Sequence, residues 1–318
     1  MDTHTELAEH FDRARNRLRD VAYRMLGSAD EADDAVQEAW LRASRADSSR
    51  VADMTAWLTT IVARVCLDML RSRRRRGEEF ADMAELDRLA PAAGGTGPED
   101  EAVLADSVGL ALLVVLDTLS PAERVAFVLH DLFAVPFDEI AAIVERSLAA
   151  TKKLASRARH RVHGAAPTPT PDLARQRKVV DAFLAASRAG DLDALLAVLD
   201  PEVVRRADRV AVPTQEAVEV RGARRVAEET LTNSGRARHA EPILVDGALG
   251  IAVAPRGRLE LVLLLTVEGD RITRLEAIGD RGRLTRLELS LPGFPGAFRR
   301  QERRRGRAVR RRERRRGR

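Results

Sequence analysis

The sequence has one cysteine, Cys66, among its 318 residues. A single cysteine cannot form a disulfide within the chain, and it excludes a zinc site built from cysteine ligands. No uninterrupted apolar run reaches the roughly 20 residues that a membrane-spanning helix needs. Residues 1–10 are polar and lack the apolar segment of a signal peptide. We therefore expect a cytoplasmic protein without a membrane span, a metal ion or another cofactor.

Acidic residues are rare at the C-terminal end. Residues 299–318 contain thirteen arginines and two glutamates, a net charge of +11, and because the whole chain carries +5, the rest is mildly acidic at −6. A segment of this composition cannot form a core and is expected to be disordered. It offers sequence-independent affinity for nucleic acid, and an inert solvated tail is an equal alternative.

The segment that begins at Ser120 carries a strong helix-start signal. Ser120 can cap a helix, Pro121 suits the first helical position, and Glu123 can reach back to the cap. Apolar residues recur at helical spacing after this signal. Pro136 disfavours helical geometry in the residue before it, so the helix is expected to end near there.

Two further helices are predicted after this one, at residues 137–144 and at residues 148–162, the second capped by Ser147. Their order matches a helix-turn-helix, in which the second helix of the motif enters the major groove. An ordinary solvated basic helix is the alternative. The outer face of residues 148–162 holds these polar and basic side chains: Lys152, Lys153, Ser156, Arg157, Arg159 and Arg161.

The first half of the chain predicts three helices, of which the second is acidic. Asp30 can cap this second helix, and its apolar face includes Val36 and Trp40. Carboxylates in a first turn favour the helix dipole and often do only that. Four of them on one helix also suggest a docking surface for a basic partner. The acidic face comprises Glu31, Asp33, Asp34 and Glu38, with Gln37 among them.

The third helix, predicted for residues 55–73, ends in an arginine run at residues 71–76. One or two arginines at a helix C-terminus are favoured by the dipole. Five in six residues exceed that need and suggest phosphate contacts. Trp57, earlier on this helix, is either a core residue or an exposed aromatic on which an unstacked base rests.

These segments resemble a known family in two separate blocks, in the correct order. Residues 30–42 (DEADDAVQEAWLR) and 56–72 (AWLTTIVARVCLDMLRS) are similar to region 2 of the extracytoplasmic-function sigma factors of bacterial RNA polymerase. Residues 119–124 (LSPAER), 138–141 (DEIA) and 155–159 (ASRAR) are similar to their region 4.

The resemblance implies three surfaces. The acidic helix would bind the clamp helices of core RNA polymerase, with the flap as a further contact, through Asp30, Asp33, Asp34, Gln37 and Glu38. The following helix would melt and hold the minus-10 element through Trp57, Thr60, Arg64, Arg71 and Arg73. The last helix of region 4 would read the minus-35 element through Lys152, Lys153, Ser156, Arg157 and Arg161.

A third unit follows a proline-rich stretch. Its pattern predicts two helices at residues 173–189 and 192–199, a helix at 223–231, and short strands that end in an antiparallel meander over residues 243–278. This order suggests an α+β cone. The unit resembles the SnoaL-like, NTF2-like domain through these motifs: residues 179–186, 190–192, 199–201, 221–223 and 255–259.

A SnoaL-like domain behind regions 2 and 4 is typical of SigJ-type or ECF41-type sigma factors. The resemblance implies control in cis, without a separate anti-sigma protein, and the cone offers a place for a small ligand. The predicted fold class is multidomain: all-α region 2, all-α helix-turn-helix region 4, and an α+β NTF2-like cone. The predicted boundaries are region 2 at 1–79, a flexible linker at 80–105, region 4 at 106–164, a proline-rich linker at 165–172, the cone at 173–291 and a disordered tail at 292–318.

Two alternative functions stay open at this point. An NTF2-like enzyme would need a titratable pair in the cone, but residues 173–291 contain one histidine, no tyrosine and no cysteine. Asp181 or Asp208 could act as a base, although an aspartate beside arginine is more often part of a structural ion pair. A ligand-responsive repressor would explain the helix-turn-helix but not the acidic helix. We therefore expect a sigma factor that is not an enzyme.

Overall fold

The computed structural model describes residues 3–49, 51–83, 107–164, 171–212 and 217–291. The predicted flexible linker from residue 84 onward, most of the proline-rich linker and the arginine-rich tail lie outside these ranges. Within them, none of the helices combines the length and apolarity that crossing a membrane requires.

Three helices form the first unit: α1 at Thr3–Leu26, α2 at Ala29–Arg45 and α3 at Met54–Met83. Gly27 ends α1 in a left-handed conformation with φ of +80°, which glycine adopts without strain. The cap of α2 is Ser28, whose Oγ accepts from the N–H of Glu31, so the prediction that Asp30 caps this helix is wrong. Asp30 lies one residue inside the helix, where its charge favours the dipole.

The second unit contains α4 at Ser107–Asp117, α5 at Pro121–Phe127, a π-helical turn at Val128–Leu132, α6 at Phe137–Val144 and α7 at Leu148–His163. Both halves of the predicted capping box are present at Ser120 and Glu123. The turn between α6 and α7 has no glycine, and Glu145 adopts the left-handed conformation there with φ of +57°.

The third unit adds helices α8 at Pro171–Ala189, α9 at Leu192–Val198, α10 at Ala223–Thr232, α11 at Ser234–Ala237 and α12 at Arg281–Leu284. Its strands are β1 at Leu199–Ala207, β2 at Glu219–Arg221, β3 at Ala240–Val245, β4 at Ala248–Val253, β5 at Leu261–Glu268, β6 at Arg271–Ile278 and β7 at Leu289–Ser290.

One sheet joins these strands in the order β2-β1-β6-β5-β4-β3-β7. Strands β3 to β6 form the predicted antiparallel meander. Strand β1 is parallel to β6 and antiparallel to β2, an arrangement that the local pattern did not reveal. The described elements confirm the predicted order of two all-α units followed by an α+β unit.

The two faces of the sheet have different neighbours, because side chains alternate along a strand. Leu244 packs with Phe183 of α8 in a core inside the cone. Ile243 and Val245, on either side of Leu244, join a second core that also contains Leu113 of α4 and Leu18 of α1. All three units therefore share one continuous apolar core, and the structure is a closed arrangement of the units.

Candidate nucleic-acid and polymerase interfaces

Helix α7 presents the predicted minus-35 face to solvent. Ser147 caps the helix, accepting from the N–H of Ala150 at 3.2 Å. The side that packs against α5 and α6 is small and apolar, which leaves the opposite side for Lys152, Lys153, Ser156 and Arg157, all exposed. The two lysines and Arg157 form no ion pair with any residue that the structure describes. Their charges are therefore available for phosphates or base edges.

Two other arginines of α7 are held by carboxylates of the same unit. Arg161 Nη1 lies 3.3 Å from Oε2 of Glu123, the buried residue of the capping box. Arg159 Nε donates to Oδ1 of Asp131 at 2.6 Å. These pairs fix the C-terminal half of α7 against the start of α5 and the π-helical turn. Arg161, one of the predicted minus-35 residues, thus also has a structural partner.

The predicted minus-10 residues near the start of α3 lie beside the helix-turn-helix. Trp57 and Thr60 are half-buried, and Trp57 packs against the shared core. Arg64 is exposed, and its Nη2 donates to the carbonyl of Ala142 on α6 at 3.4 Å. The face that would hold an unstacked strand is therefore in contact with α6.

The arginine run at the end of α3 divides between structure and surface. Arg73 forms an ion pair with Glu31 and donates to the carbonyl of Leu26 at 3.3 Å, so it ties α3 to the turn between α1 and α2. Arg71 is half-buried, whereas residues 74–76 are exposed. Arg71 and Arg146 line one groove between α3 and the helix-turn-helix.

The acidic face of α2 is largely exposed. Asp30, Asp34 and Gln37 face solvent. Asp33 forms two hydrogen bonds with Arg19 of α1, at 2.7 and 3.1 Å, and Glu38 pairs with Arg42 one turn later at 2.8 Å. Asp30 and Asp34 form no ion pair with any described residue, so they are the carboxylates most available to a basic partner.

Two family models match the two helical units. Sigma-70 region 2 matches residues 10–76, and Sigma-70, region 4, matches residues 109–162. The chain is 34% identical over 296 residues to the probable ECF RNA polymerase sigma factor SigI of Mycobacterium tuberculosis, and the match covers 92% of this chain and all of the relative. The chain belongs to the extracytoplasmic-function RNA polymerase sigma factors. Its function is promoter-directed transcription initiation.

Another relative of this sigma factor, SigJ of Mycobacterium tuberculosis, is matched both as a sequence and as a solved structure. The ECF RNA polymerase sigma factor SigJ is 43% identical over 200 residues, which cover 62% of this chain and 64% of the relative. The crystal structure of the extracytoplasmic-function sigma factor SigJ aligns with 34% identity and a TM-score of 0.43, over 87% of this chain and 98% of that one.

Region 2, region 4 and the cone of the sigma factor meet at Gly257, which ends a short 3-10 turn before β5. A Cβ atom on Gly257 would lie 2.8 Å from the carbonyl oxygen of Gly27 in region 2 and 3.4 Å from a methyl group of Leu113 in region 4. Arg124 of α5 reaches the same place, since its Nη2 would lie 3.4 Å from a Cβ on Gly27. Only a residue without a side chain allows this close approach of the three units.

The cone also holds the end of the region 4 helix α7. The N–H of Leu291 donates to the carbonyl of Val162 at 3.0 Å, next to the C-cap Gly164. A Cβ atom on Gly164 would lie 2.5 Å from Oγ of Ser290 in β7. The last strand of the cone therefore contacts the helix that is predicted to read the minus-35 element.

Sequence reasoning missed Leu148 as a functional candidate. It is the first residue of α7 and is 45% exposed. An exposed leucine at the start of a recognition helix can contact a thymine methyl group. Its position directly after the cap residue Ser147 is the signal that could have identified it.

Proposed function

We propose that this sigma factor binds core RNA polymerase through α2, reads the minus-35 element with α7, holds the melted minus-10 strand on α3, and is restrained in cis by its C-terminal cone. Three surfaces of suitable charge support the first part: an acidic helix, a basic helix at a helix-turn-helix, and a helix that carries Trp57 near its start and an arginine run further along. The protein would act in the cytoplasm as a non-enzymatic subunit.

The proposal of restraint is based on the contact between Arg64 and Ala142. Elements named minus-10 and minus-35 lie roughly 25 base pairs apart, which is on the order of 80 Å along the duplex. Here α3 touches α6 directly, with 3.4 Å between Arg64 Nη2 and the carbonyl of Ala142. Regions 2 and 4 must therefore separate before they engage both elements. The closed structure would be the resting form.

The cone stabilises the closed form through contacts with both helical units. Gly257 lies against Gly27 and Leu113, and Leu291 binds the end of α7. A domain that touches both units only when they are together favours the closed state by the free energy of those contacts. Control in this way needs no separate anti-sigma protein.

The geometry of the cone's aspartates does not favour the enzyme alternative. Asp208 accepts from the N–H groups of Val210, Ala211, Gly279 and Asp280 at 2.9 to 3.2 Å. Burial alone would raise the pKa of Asp208, but these backbone donors outweigh it and hold the pKa below its ordinary value. Asp181 is exposed and pairs with Arg177 at 2.8 Å. Neither carboxylate is suited to act as a general base in a pocket.

Reconstituted transcription tests the proposal. Core polymerase with the full chain is expected to initiate from a discrete class of promoters. Initiation no stronger than that by core polymerase alone would contradict the proposal. Reversing charge in Asp34→Lys should weaken co-elution with core polymerase about tenfold, because the exposed carboxylate faces a basic partner. Asp193→Lys, an exposed residue in the first turn of α9, is the matched control and should leave co-elution unchanged.

A further inference from the structure

The cone contains an apolar cavity, partly open to solvent, that none of the three proposed surfaces uses. It has a volume of about 120 Å³ and lies between α8, α10 and the sheet, with Phe183, Val226, Ile251 and Leu275 in its wall. Protein interiors are close-packed, so an apolar recess of this size in a small domain is a candidate binding site. An engineered apolar cavity of about 150 Å³ holds benzene. The space in the cone therefore suits one small ring or a short branched chain.

Most polar groups of the cavity wall are already satisfied. Ser187 and Thr230 donate to the carbonyls of Phe183 and Val226 within their own helices, at 2.7 and 2.8 Å. Arg205 is paired with Glu229, so their charges cancel. These groups give the wall little that would attract a charged or strongly polar ligand.

Arg236 is the exception among the residues of the wall. Its Nη1 donates to the carbonyl of Ala211 at 3.1 Å, and the side chain forms no ion pair with any carboxylate in the described ranges. A guanidinium has five N–H donors, so most of its hydrogen-bonding capacity is free for a ligand. It places one positive charge, without a carboxylate partner among the described residues, at the solvent-exposed rim of the cavity.

We propose that the cavity binds a small apolar carboxylate, with its ring or branched chain inside the cone and its carboxylate on Arg236. The apolar wall matches the body of such a ligand, and the guanidinium forms two parallel hydrogen bonds with a carboxylate. This proposal deepens the restraint in cis proposed above and rests on it for its regulatory meaning.

The ligand would be sensed at the contact between the cone and region 4. Arg236, Ala211, Val253 and Leu261 line the cavity and also a groove that contains Asp117 of α4. A carboxylate would bind the same guanidinium that donates to the carbonyl of Ala211, and Ala211 belongs to both walls. Occupancy of the cavity thereby changes the surface against which region 4 packs, and this difference shifts the balance between closed and open forms.

Binding of two probes to the full chain tests the proposal by calorimetry. Benzoate carries the carboxylate, and benzyl alcohol is a neutral molecule of similar shape. A ligand with so few atoms is expected to bind with Kd on the order of 1 mM. Benzoate should bind at least about tenfold more tightly than benzyl alcohol, because only benzoate is paired with Arg236.

Three variants identify the site. Arg236→Gln should remove the preference for benzoate, whereas Arg224→Gln, an exposed residue of α10, should keep it. Ala277→Leu fills the cavity from β6 and should abolish binding of both probes, with unchanged near-ultraviolet circular dichroism as the check on folding. Benzoate should also change hydrogen exchange of α4 in the wild type but not in Arg236→Gln.

Equal affinity for the two probes, or a preference that survives in Arg236→Gln, would overturn the carboxylate assignment. Absence of saturable binding of either probe would overturn the site itself. These measurements contain no polymerase and no promoter. Their failure is therefore distinct from failure of reconstituted transcription, which tests the proposed function.

Discussion

Nη1 of Arg124 donates to Oδ1 of Asp117 at 3.1 Å, at the point where region 2, region 4 and the cone meet. Arg124 is 2% exposed, and its Nε and Nη2 have no hydrogen-bond partner in the described part of the chain. Burial lowers the pKa of Arg124, and the Asp117 carboxylate opposes that effect. Asp117 is therefore the main carboxylate that compensates the charge of this buried guanidinium, with a smaller contribution from Glu31.

Replacing that carboxylate should be costly. In Asp117→Asn the buried cation loses its ion pair, and removing one partner of a buried pair costs about 3 to 5 kcal/mol in the free energy of unfolding. Asp117 itself is partly exposed, so the lower end of this range is expected. Urea denaturation measures the loss.

The control for this variant is an exposed pair of the same type. Asp68 lies 3.4 Å from Arg42, and both side chains are about half exposed. Asp68→Asn should cost less than about 1 kcal/mol, because surface ion pairs contribute little. Similar losses in the two variants would show that Arg124 does not depend on Asp117.

Gly257→Ala should open the closed form. The added Cβ would lie 2.8 Å from the carbonyl oxygen of Gly27. Because both positions are backbone, this clash is relieved only if region 2 and the cone move apart. Because the closed form, in the proposed restraint, would not span both promoter elements, the variant is expected to initiate transcription several-fold more strongly per molecule of core-bound protein. Distance between fluorophores on regions 2 and 4 should increase at the same time.

Gly269→Ala provides the matched control. Gly269 has a similar positive φ, +62° against +70° for Gly257, but no atom lies within 4 Å of an added Cβ. Both variants therefore strain the backbone of a turn, and only one of them pushes on a neighbouring unit. Equal effects of Gly257→Ala and Gly269→Ala on transcription would mean that backbone strain causes the change, and would contradict the proposed restraint.

Reversing charge on α7 should weaken promoter binding. Lys153→Glu and Arg157→Glu each replace an exposed cation with no ion-pair partner among the described residues. If either side chain contacts a base, the substitution should weaken the free energy of promoter binding by about 1 to 3 kcal/mol and relax specificity at one position of the minus-35 element. Binding to a set of single-base variants of the promoter distinguishes this from a phosphate contact, which would weaken all sequences equally.

Lys178→Glu is the control for these two reversals. Lys178 is an exposed lysine on α8 of the cone, away from the proposed DNA-binding face. The Lys178→Glu substitution changes the net charge of the protein by the same amount as Lys153→Glu or Arg157→Glu. A loss equal to that of Lys153→Glu would mean that overall charge, and not the position on α7, governs promoter affinity.

Local signals in the sequence predicted most of the helical elements. The capping box at Ser120 fixed the start of α5, and Pro136 and Ser147 marked the limits of α6 and α7. These signals depend on residues three or four positions apart, so one stretch of chain suffices to reveal them.

The relationships that the sequence did not reveal all join distant residues. Arg73 was predicted to contact the minus-10 strand, and the structure pairs it with Glu31, 42 positions away. Strand β1 lies parallel to β6, although some 70 residues separate them. Gly257 and Gly27, which are in contact, are separated by even more residues along the chain. No periodicity or spacing encodes such contacts, because they depend on how complete units pack.

His163, the last residue of α7, should make the stability of region 4 depend on pH. It is half-buried, and burial lowers its pKa; the Asp131 carboxylate raises the pKa and the Arg159 guanidinium lowers it. In the unfolded chain the group returns to its ordinary pKa of about 6.5. The unfolded state therefore binds more protons than the folded state below that pH.

The stability contribution of His163 should be fully present above its unfolded pKa and decline as the pH falls toward the lower pKa of the folded state. The free energy of unfolding, measured in urea at about pH 8 and about pH 5.5, should therefore fall more steeply in the wild type than in His163→Gln. Asp208 does not interfere, because its lowered pKa reduces stability only below about pH 4. Identical pH dependence of the two proteins would show that His163 is equally hydrated in the folded and unfolded states.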